Sequence, residues 1–254
     1  MQNPDAIVIG AGIVGASSAL SLTNAGLKVL VIDRGAVSSG TTGAGEGNIL
    51  VSDKDPGPEL TLALRSRDLW FEMQEDVGDS FELEAKGGVV VARHDDGPLM
   101  KLAAEQSDHG VVTQKLDHTS LHELEPYLHP EFHSGVLYSQ DAQCQPMLAA
   151  AHVIRTVIKR GGAFISQARV TRIIVENGSV AGIETTQGIF RAPIIVNATG
   201  TWAGELAKMA GSDLPIAPRK GFILVTEPTG KYIFHKVYDS DYVTNVASSD
   251  ADLQ

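Results

Sequence analysis

Three glycines at fixed spacing, with an acid beyond them, are the residues whose chemistry can be read first. Gly10-Ala11-Gly12-Ile13-Val14-Gly15 follows the uncharged, β-branched run Ala6-Ile7-Val8-Ile9 directly. Gly10 suits a tight turn, Gly12 a close approach of backbone to a pyrophosphate, and Gly15 close packing of helix on strand. The free N–H groups and partial positive charge at the start of the next helix suit phosphates. Asp33 ends a second strand, Leu27-Lys28-Val29-Leu30-Val31-Ile32, where a carboxylate can accept hydrogen bonds from a ribose. Three glycines alone often mark only a flexible loop. Strand, helix, second strand and terminal acid together predict a dinucleotide site, and a ligand-free βαβ unit is the plainer alternative.

Two further groups invite a chemical reading. The stretch Gly35 to Asn48, with Ser38-Ser39-Gly40-Thr41-Thr42-Gly43-Ala44-Gly45-Glu46-Gly47, is either a linker or a loop whose backbone approaches a ligand. Its place straight after Asp33 favours the second. His118, His122, His129 and His133 include one i, i+4 pair, as two ligands on one helix would need. Ser120 and Glu123 fit a capping box there and Pro126 ends the helix, so no metal site is expected.

The elements that must position these residues alternate in type. Glu59 to Val77 reads as an amphipathic helix after Pro56-Gly57-Pro58, with Leu62, Leu69, Trp70 and Met73 as its core stripe. Phe81 to Glu84 alternates, Gly87 to Ala92 reads as a strand, Pro98 to Asp108 as a helix and Val111 to Leu116 as a short strand. A strand at Val136 to Tyr138 precedes a helix from Met147 to Arg160 closed by Gly161-Gly162. Asn177-Gly178 predicts a hairpin between Arg169–Val175 and Val180–Thr185. The apolar strand Ile194-Ile195-Val196 then runs into Asn197-Ala198-Thr199-Gly200, and Phe222 to Thr226 reads as a last strand.

Composition narrows the classes. The chain has 254 residues, 43% of them hydrophobic, and a formal charge of -11 that argues against nucleic acid or an anionic membrane as partner. An anionic cofactor stays compatible, because local dipoles and a few arginines decide that. One cysteine, Cys144, allows no intrachain disulfide. No apolar run is long enough to span a membrane and the N-terminus lacks a basic region, so a cytoplasmic protein is expected.

Taken together, Gly10 to Gly15, the Asp33-Arg34 pair, the loop through Glu46-Gly47-Asn48, Asp141 to Pro146 before a helix, Asn197-Ala198-Thr199-Gly200 with Trp202, and Pro218-Arg219-Lys220-Gly221 resemble the D-amino-acid oxidase-like superfamily of FAD enzymes. That superfamily includes glycine oxidase, sarcosine oxidase, hydrogen cyanide synthase and the proline and opine dehydrogenase subunits. The resemblance covers nearly the whole chain in order. Gly45 to Asp53 and His235-Lys236-Val237-Tyr238 look closest to the opine/proline dehydrogenase and cyanide synthase branch.

The resemblance implies an α/β fold: a Rossmann-like, glutathione-reductase-type FAD-binding domain with an inserted antiparallel-sheet substrate lobe. The FAD domain would take residues 1–80 and 140–215, the lobe 81–139 and 216–254. FAD would lie extended, its pyrophosphate at Gly10, Ala11, Gly12, Ile13, Val14 and Gly15 and its ribose at Asp33, with Arg34 by the adenine. Thr41, Thr42, Gly45, Glu46 and Gly47 would line the stretch towards the ring, Val170 would face the adenine, and Ala198, Thr199, Gly200 and Trp202 would pack opposite. The substrate would be a small amino acid or amine, oxidised by hydride transfer from its α-carbon to the flavin, giving an imine that hydrolyses. Tyr232, Tyr238 and Tyr242 fall where the lobe's roof strands belong, and one could bind a substrate carboxylate, although a tyrosine in a sheet more often packs. Of these Tyr238 and Tyr242, with Lys220 near the flavin, are the candidate catalytic residues. Cys144 is not expected to anchor the flavin.

Members of that family are longer, and their last portion completes the roof and supplies a carboxylate clamp, so a chain truncated at its C-terminus is expected. Two other classes compete. A nicotinamide-dependent dehydrogenase uses the same glycines but requires continued βαβ alternation after Asp33. A non-catalytic or partner-dependent FAD-binding subunit, completed by a second dehydrogenase subunit, fits the shortness of the chain.

Overall fold

The computed structural model describes residues 3–78 and 81–241. The amino-terminal half forms β1 (Ala6–Ile9), α1 (Ile13–Asn24), β2 (Val29–Ile32), β3 (Asn48–Ile49), α2 (Pro58–Val77), β4 (Gly88–Ala92), α3 (Gly97–Ser107), β5 (Thr113–Leu116) and α4 (His118–Leu124). It continues through β6 (Ser134–Tyr138), β7 (Ala142–Gln143), α5 (Pro146–Lys159), β8 (Ala163–Ile165), β9 (Val170–Glu176) and β10 (Ser179–Thr185). Then come β11 (Gly188–Arg191), β12 (Ile194–Asn197), α6 (Ala203–Met209) and β13 (Lys236–Asp239). Two compact units result. One holds Met1–Glu46, Asp79–Phe81 and Gln145–Leu224; the other holds Gly47–Gly78, Glu82–Cys144 and Val225–Gln254.

The first unit is built on a parallel sheet in the order β12-β1-β2-β8. Every residue of β1 and β2 is buried, as an uncharged β-branched run requires. β12 pairs in parallel with β1, Ile9 opposite Asn197, so strand ends about 190 residues apart in sequence lie side by side. Ile7, Ile9, Leu30 and Ile32 share a core with Val170, Ile173 and Ile183 of a second, antiparallel sheet, β11-β10-β9. Its β9–β10 turn has Asn177 at φ 52° and Gly178 at φ 79°, the backbone an Asn-Gly hairpin turn demands.

The second unit carries a sheet in the order β13-β4-β6-β5, antiparallel between β4, β6 and β5 and parallel between β13 and β4. Residues 47–78, expected in the FAD domain, belong here: Leu60 of α2 is buried in one cluster with Val51, Val90, Ala92 and Tyr138. Of the expected stripe, Trp70 and Met73 are half-buried, while Leu62 and Leu69 face outward. Leu62 is 70% and Leu69 45% exposed, while Leu60 is 1% exposed.

Two other local expectations shift. The α4 cap is Asp117, whose carboxylate accepts from Ser120 N while Ser120 Oγ accepts from Asp117 N, three residues before the expected box. Residues 222–226 form no strand: among the described residues nothing pairs with their backbone, and Phe222, Leu224 and Val225 are exposed. A β-branched composition cannot stand alone without a ladder partner.

Candidate cofactor site and a buried polar network

The glycine turn is a space that side chains could not share. A Cβ on Gly10 (φ 110°) would lie 2.3 Å from Ala198 O, one on Gly15 1.9 Å from Gly10 O, and one on Gly12 2.8 Å from Thr42 Oγ1. Gly10 is thus wedged between β1 and the crossing after β12, and Gly15 lets α1 sit on the turn itself. The start of α1 has no side-chain cap of its own and no acid in its first turn. No acid of its own first turn offsets the partial positive charge there, which suits an anion. Thr42 reaches in from the 3₁₀ turn Thr41–Ala44, its Oγ1 accepting Ile13 N at 3.0 Å.

Asp33 stands at the end of β2. Its Oδ2 accepts Ala11 N and its Oδ1 accepts Gly35 N, each at 2.7 Å. An ionised carboxylate has about four acceptor positions, so both oxygens keep capacity for ribose hydroxyls. Val170 is buried on β9, two residues beyond Ala168, whose N–H donates to Asp33 O at 2.9 Å. Ala198 N donates to Ile9 O, Thr199 Oγ1 donates to Asn197 Oδ1, and Gly200 takes φ 58° before Trp202. The Arg34 guanidinium lies 3.8 Å from the centroid of the Trp202 ring.

The first unit thus brings together Gly10, Ala11, Gly12, Ile13, Gly15, Asp33, Thr42 and Ala198 around one turn, with Arg34 joined to Trp202 and Val170 close behind Asp33. Val14 faces outward at 65% exposure, and Gly45 and Glu46 continue the Thr41–Ala44 turn. Gly47 (φ 74°) falls in the second unit, where its carbonyl accepts from Cys144 N. Lys220 is exposed, its amine 4.8 Å from the Phe222 ring rather than against a residue of the turn. Tyr242 lies outside the described residues.

Tyr238 belongs to a network that residue spacing did not announce. In the second unit Tyr238 Oη donates to Ser52 Oγ (2.7 Å), and Ser52 Oγ donates to Asp141 Oδ2 (2.5 Å). Asp141 is fully buried and also accepts Val51 N at 2.8 Å. Burial pushes its carboxyl up to about 6, against the lowering effect of the Ser52 and Val51 hydrogen bonds. Gln106, also buried, donates to Lys54 O and accepts from Tyr138 Oη. Burial raises the hydroxyl pKa of both tyrosines, so each is a neutral donor. A second buried acid, Glu125, accepts Phe234 N, His235 N and His235 Nδ1. In the sequence Asp141 stands among Ser139, Gln140 and Gln143, so nothing local marks it as a buried acid.

The four histidines do not assemble a ligand set. His118 stacks near His122 and His133, with ring centroids 4.5 and 6.2 Å away, and His122 Nε2 lies 3.2 Å from Phe132 O. Among the described residues no group of three or more His, Cys, Asp or Glu could hold a metal, and no helix is long and apolar enough to cross a membrane.

Comparison with known proteins agrees with this geometry. Residues 5–251 match the family model DAO, described as FAD dependent oxidoreductase, and the chain belongs to that family of FAD-dependent oxidoreductases. It is 26% identical to anaerobic glycerol-3-phosphate dehydrogenase subunit A1 of Haloferax volcanii, over 88% of this chain and 41% of that one. It is 29% identical to glycine oxidase of Bacillus licheniformis, over 85% of this chain and 59% of the relative. The structure of L-proline dehydrogenase from P. horikoshii superposes with a TM-score of 0.82 at 25% identity, covering 95% of this chain and 65% of that one. The chain therefore spans less than two thirds of the length of these relatives. The family's cofactor is FAD, and the glycine turn, the acid-free first turn of α1 and the spare acceptors of Asp33 fit its diphosphate and ribose.

Proposed function

We propose that this chain takes part in the FAD-dependent oxidation of the C–N bond of a small amino acid or secondary amine. The carrying observation is the cradle itself: a turn where no Cβ fits at Gly10 or Gly15, beside the acid-free first turn of α1 and the acid Asp33. When bound, FAD supplies a ring that accepts a hydride from a substrate carbon. The chain's own residues do the rest: Gly10 makes the tight turn, Gly15 seats α1 on it, and Gly12 gives the diphosphate backbone access; Ile13 N and Thr42 fix the loop over the helix start, and Asp33 orients the ribose. The choice of an amine is supported by the names of the Bacillus and P. horikoshii relatives, glycine oxidase and L-proline dehydrogenase. The Haloferax relative, a glycerol-3-phosphate dehydrogenase subunit, makes an alcohol the competing substrate.

The test is anaerobic bleaching of the bound flavin by glycine, sarcosine, L-proline, a D-amino acid and glycerol 3-phosphate in turn. Reduction by an amine or amino acid is expected; reduction by glycerol 3-phosphate alone would contradict the proposal. A second reading is a partner-dependent FAD-binding subunit, favoured by the Haloferax relative being one subunit of an enzyme. Flavin that binds but is reduced by none of the five, until a second chain is added, would select it.

A further inference from the structure

We infer that Trp202 is a positioning residue for Arg34: stacked on the guanidinium, it presents an unpaired cation to the ADP half of the cofactor at the edge of the glycine turn. The inference rests on the FAD cradle described above.

Arg34 follows Asp33 directly, so β2 delivers a carboxylate and a guanidinium to the same strand end. The carboxylate is tied inward to Ala11 and Gly35. The guanidinium, 3.8 Å from the Trp202 centroid, is well inside the ~6 Å reach of a cation–π contact. Among the described residues Arg34 makes no hydrogen bond or ion pair. That sets it apart from Arg65, Arg67, Arg93, Arg172 and Arg191, each of which meets a carboxylate. Arg155 and Arg160 meet His152 and Asn24 instead, so what marks Arg34 is its place: a cation with no acid of its own at the edge of the anion cradle, in a chain of net charge -11. Stacking uses the face of the guanidinium and leaves its N–H edge free for the forked grip on a phosphate.

Trp202 is itself held. Its backbone N–H donates to Thr199 O at 3.2 Å, at the close of the turn that follows β12. On another side a Cβ at Gly40 would lie 3.6 Å from its ring, and Gly40 begins the turn that brings Thr42 to Ile13 N. The indole therefore ties Arg34 to the loop already engaged with the start of α1. A long, exposed arginine loses rotamer freedom when it grips an anion, and a stack that orders it beforehand removes part of that cost.

The test is titration of the flavin-free full chain with FAD, followed by flavin fluorescence at low and high salt. Arg34→Gln is expected to weaken binding about tenfold, the loss of a hydrogen bond to a charged group, and to flatten its salt dependence. Trp202→Leu, which keeps bulk without a π face, should do the same, while Trp202→Phe should stay within about twofold of the unaltered chain. The double variant R34Q/W202L should bind no more weakly than R34Q alone. Losses that simply add, or a W202L variant with the unaltered chain's salt dependence, would overturn the inference. An unaltered chain that takes up no FAD would overturn the cofactor reading along with it, so the two failures are told apart. Melting temperatures of the flavin-free variants check folding, and W202F carries the comparison should W202L not fold.

Discussion

Tyr238 and Ser52, 186 residues apart in sequence, share a 2.7 Å hydrogen bond whose hydroxyl chain ends on the buried carboxylate of Asp141. This links β13 to the segment after β3 through side chains rather than through the sheet ladder. It also commits the Tyr238 hydroxyl to the fold. Tyr238→Phe should therefore cost about 1 kcal/mol of stability, read from denaturant unfolding, and leave the rate of flavin reduction within about threefold. A much larger drop in rate, with stability unchanged, would instead make Tyr238 a substrate-contacting residue.

Asp141 gives the chain an acid-side stability signature. Its folded pKa, pushed up to about 6 mainly by burial, lies above the unfolded value of about 3.9. The folded state thus binds the proton more tightly than the unfolded one, and its favourable contribution is full below about pH 4. It is lost as pH rises through about 6, by an amount on the order of 3 kcal/mol. Urea unfolding of the unaltered chain and of Asp141→Asn between pH 4 and 7 measures the difference. A difference that stays flat across that window would contradict the buried titration.

Glu125 clamps the start of β13. Its carboxylate accepts Phe234 N at 3.0 Å and His235 N at 2.6 Å, and Lys236 N then bonds Gly87 O to begin the pairing with β4. Glu125→Ala removes the charged acceptor of those part-buried donors, costing roughly 1.5–3 kcal/mol. Hydrogen exchange should show protection lost at Lys236–Asp239 while β1 and β2 keep theirs. Equal loss throughout would mean that the clamp is not local.

The Asn177-Gly178 turn serves as the control. Asn177 sits at φ 52°, where alanine is strained, so Asn177→Ala should cost about 1 kcal/mol. FAD affinity should not move, as read by the same titration. A fall in affinity would tie the hairpin to the cradle.

What could be read along the chain was what short-range chemistry dictates. The run Ala6 to Gly15, Asp33 and the Asn-Gly hairpin each declare themselves within a few residues, and the structure places Ala11 N on Asp33 and Gly15 on the Gly10 carbonyl. The helix over residues 58–77 was legible as a helix, but its inward face only in part: Trp70 and Met73 are half-buried, and Leu60 rather than Leu62 is the buried leucine. Leu60 and Leu62 have equal hydrophobicity, and only packing on Val90 and Tyr138 decides between them. The stretch 222–226 carries strand composition without a strand, because propensity cannot supply a pairing partner. The Tyr238–Ser52–Asp141 chain was hidden for a related reason: its members are spread across the second unit, and no local pattern marks polar residues that meet only on folding.

The central claim is that the turn at Gly10–Gly15 holds the diphosphate of FAD, and a side-by-side flavin titration of the unaltered chain and Gly15→Ala tests it most directly. The added methyl would fall 1.9 Å from the Gly10 carbonyl oxygen, a clash that backbone cannot relieve cheaply. Saturable binding of one FAD per unaltered chain, with binding abolished in a G15A variant that still unfolds cooperatively, is the expected result. Equal FAD uptake by both chains, or none by the unaltered one, would contradict it.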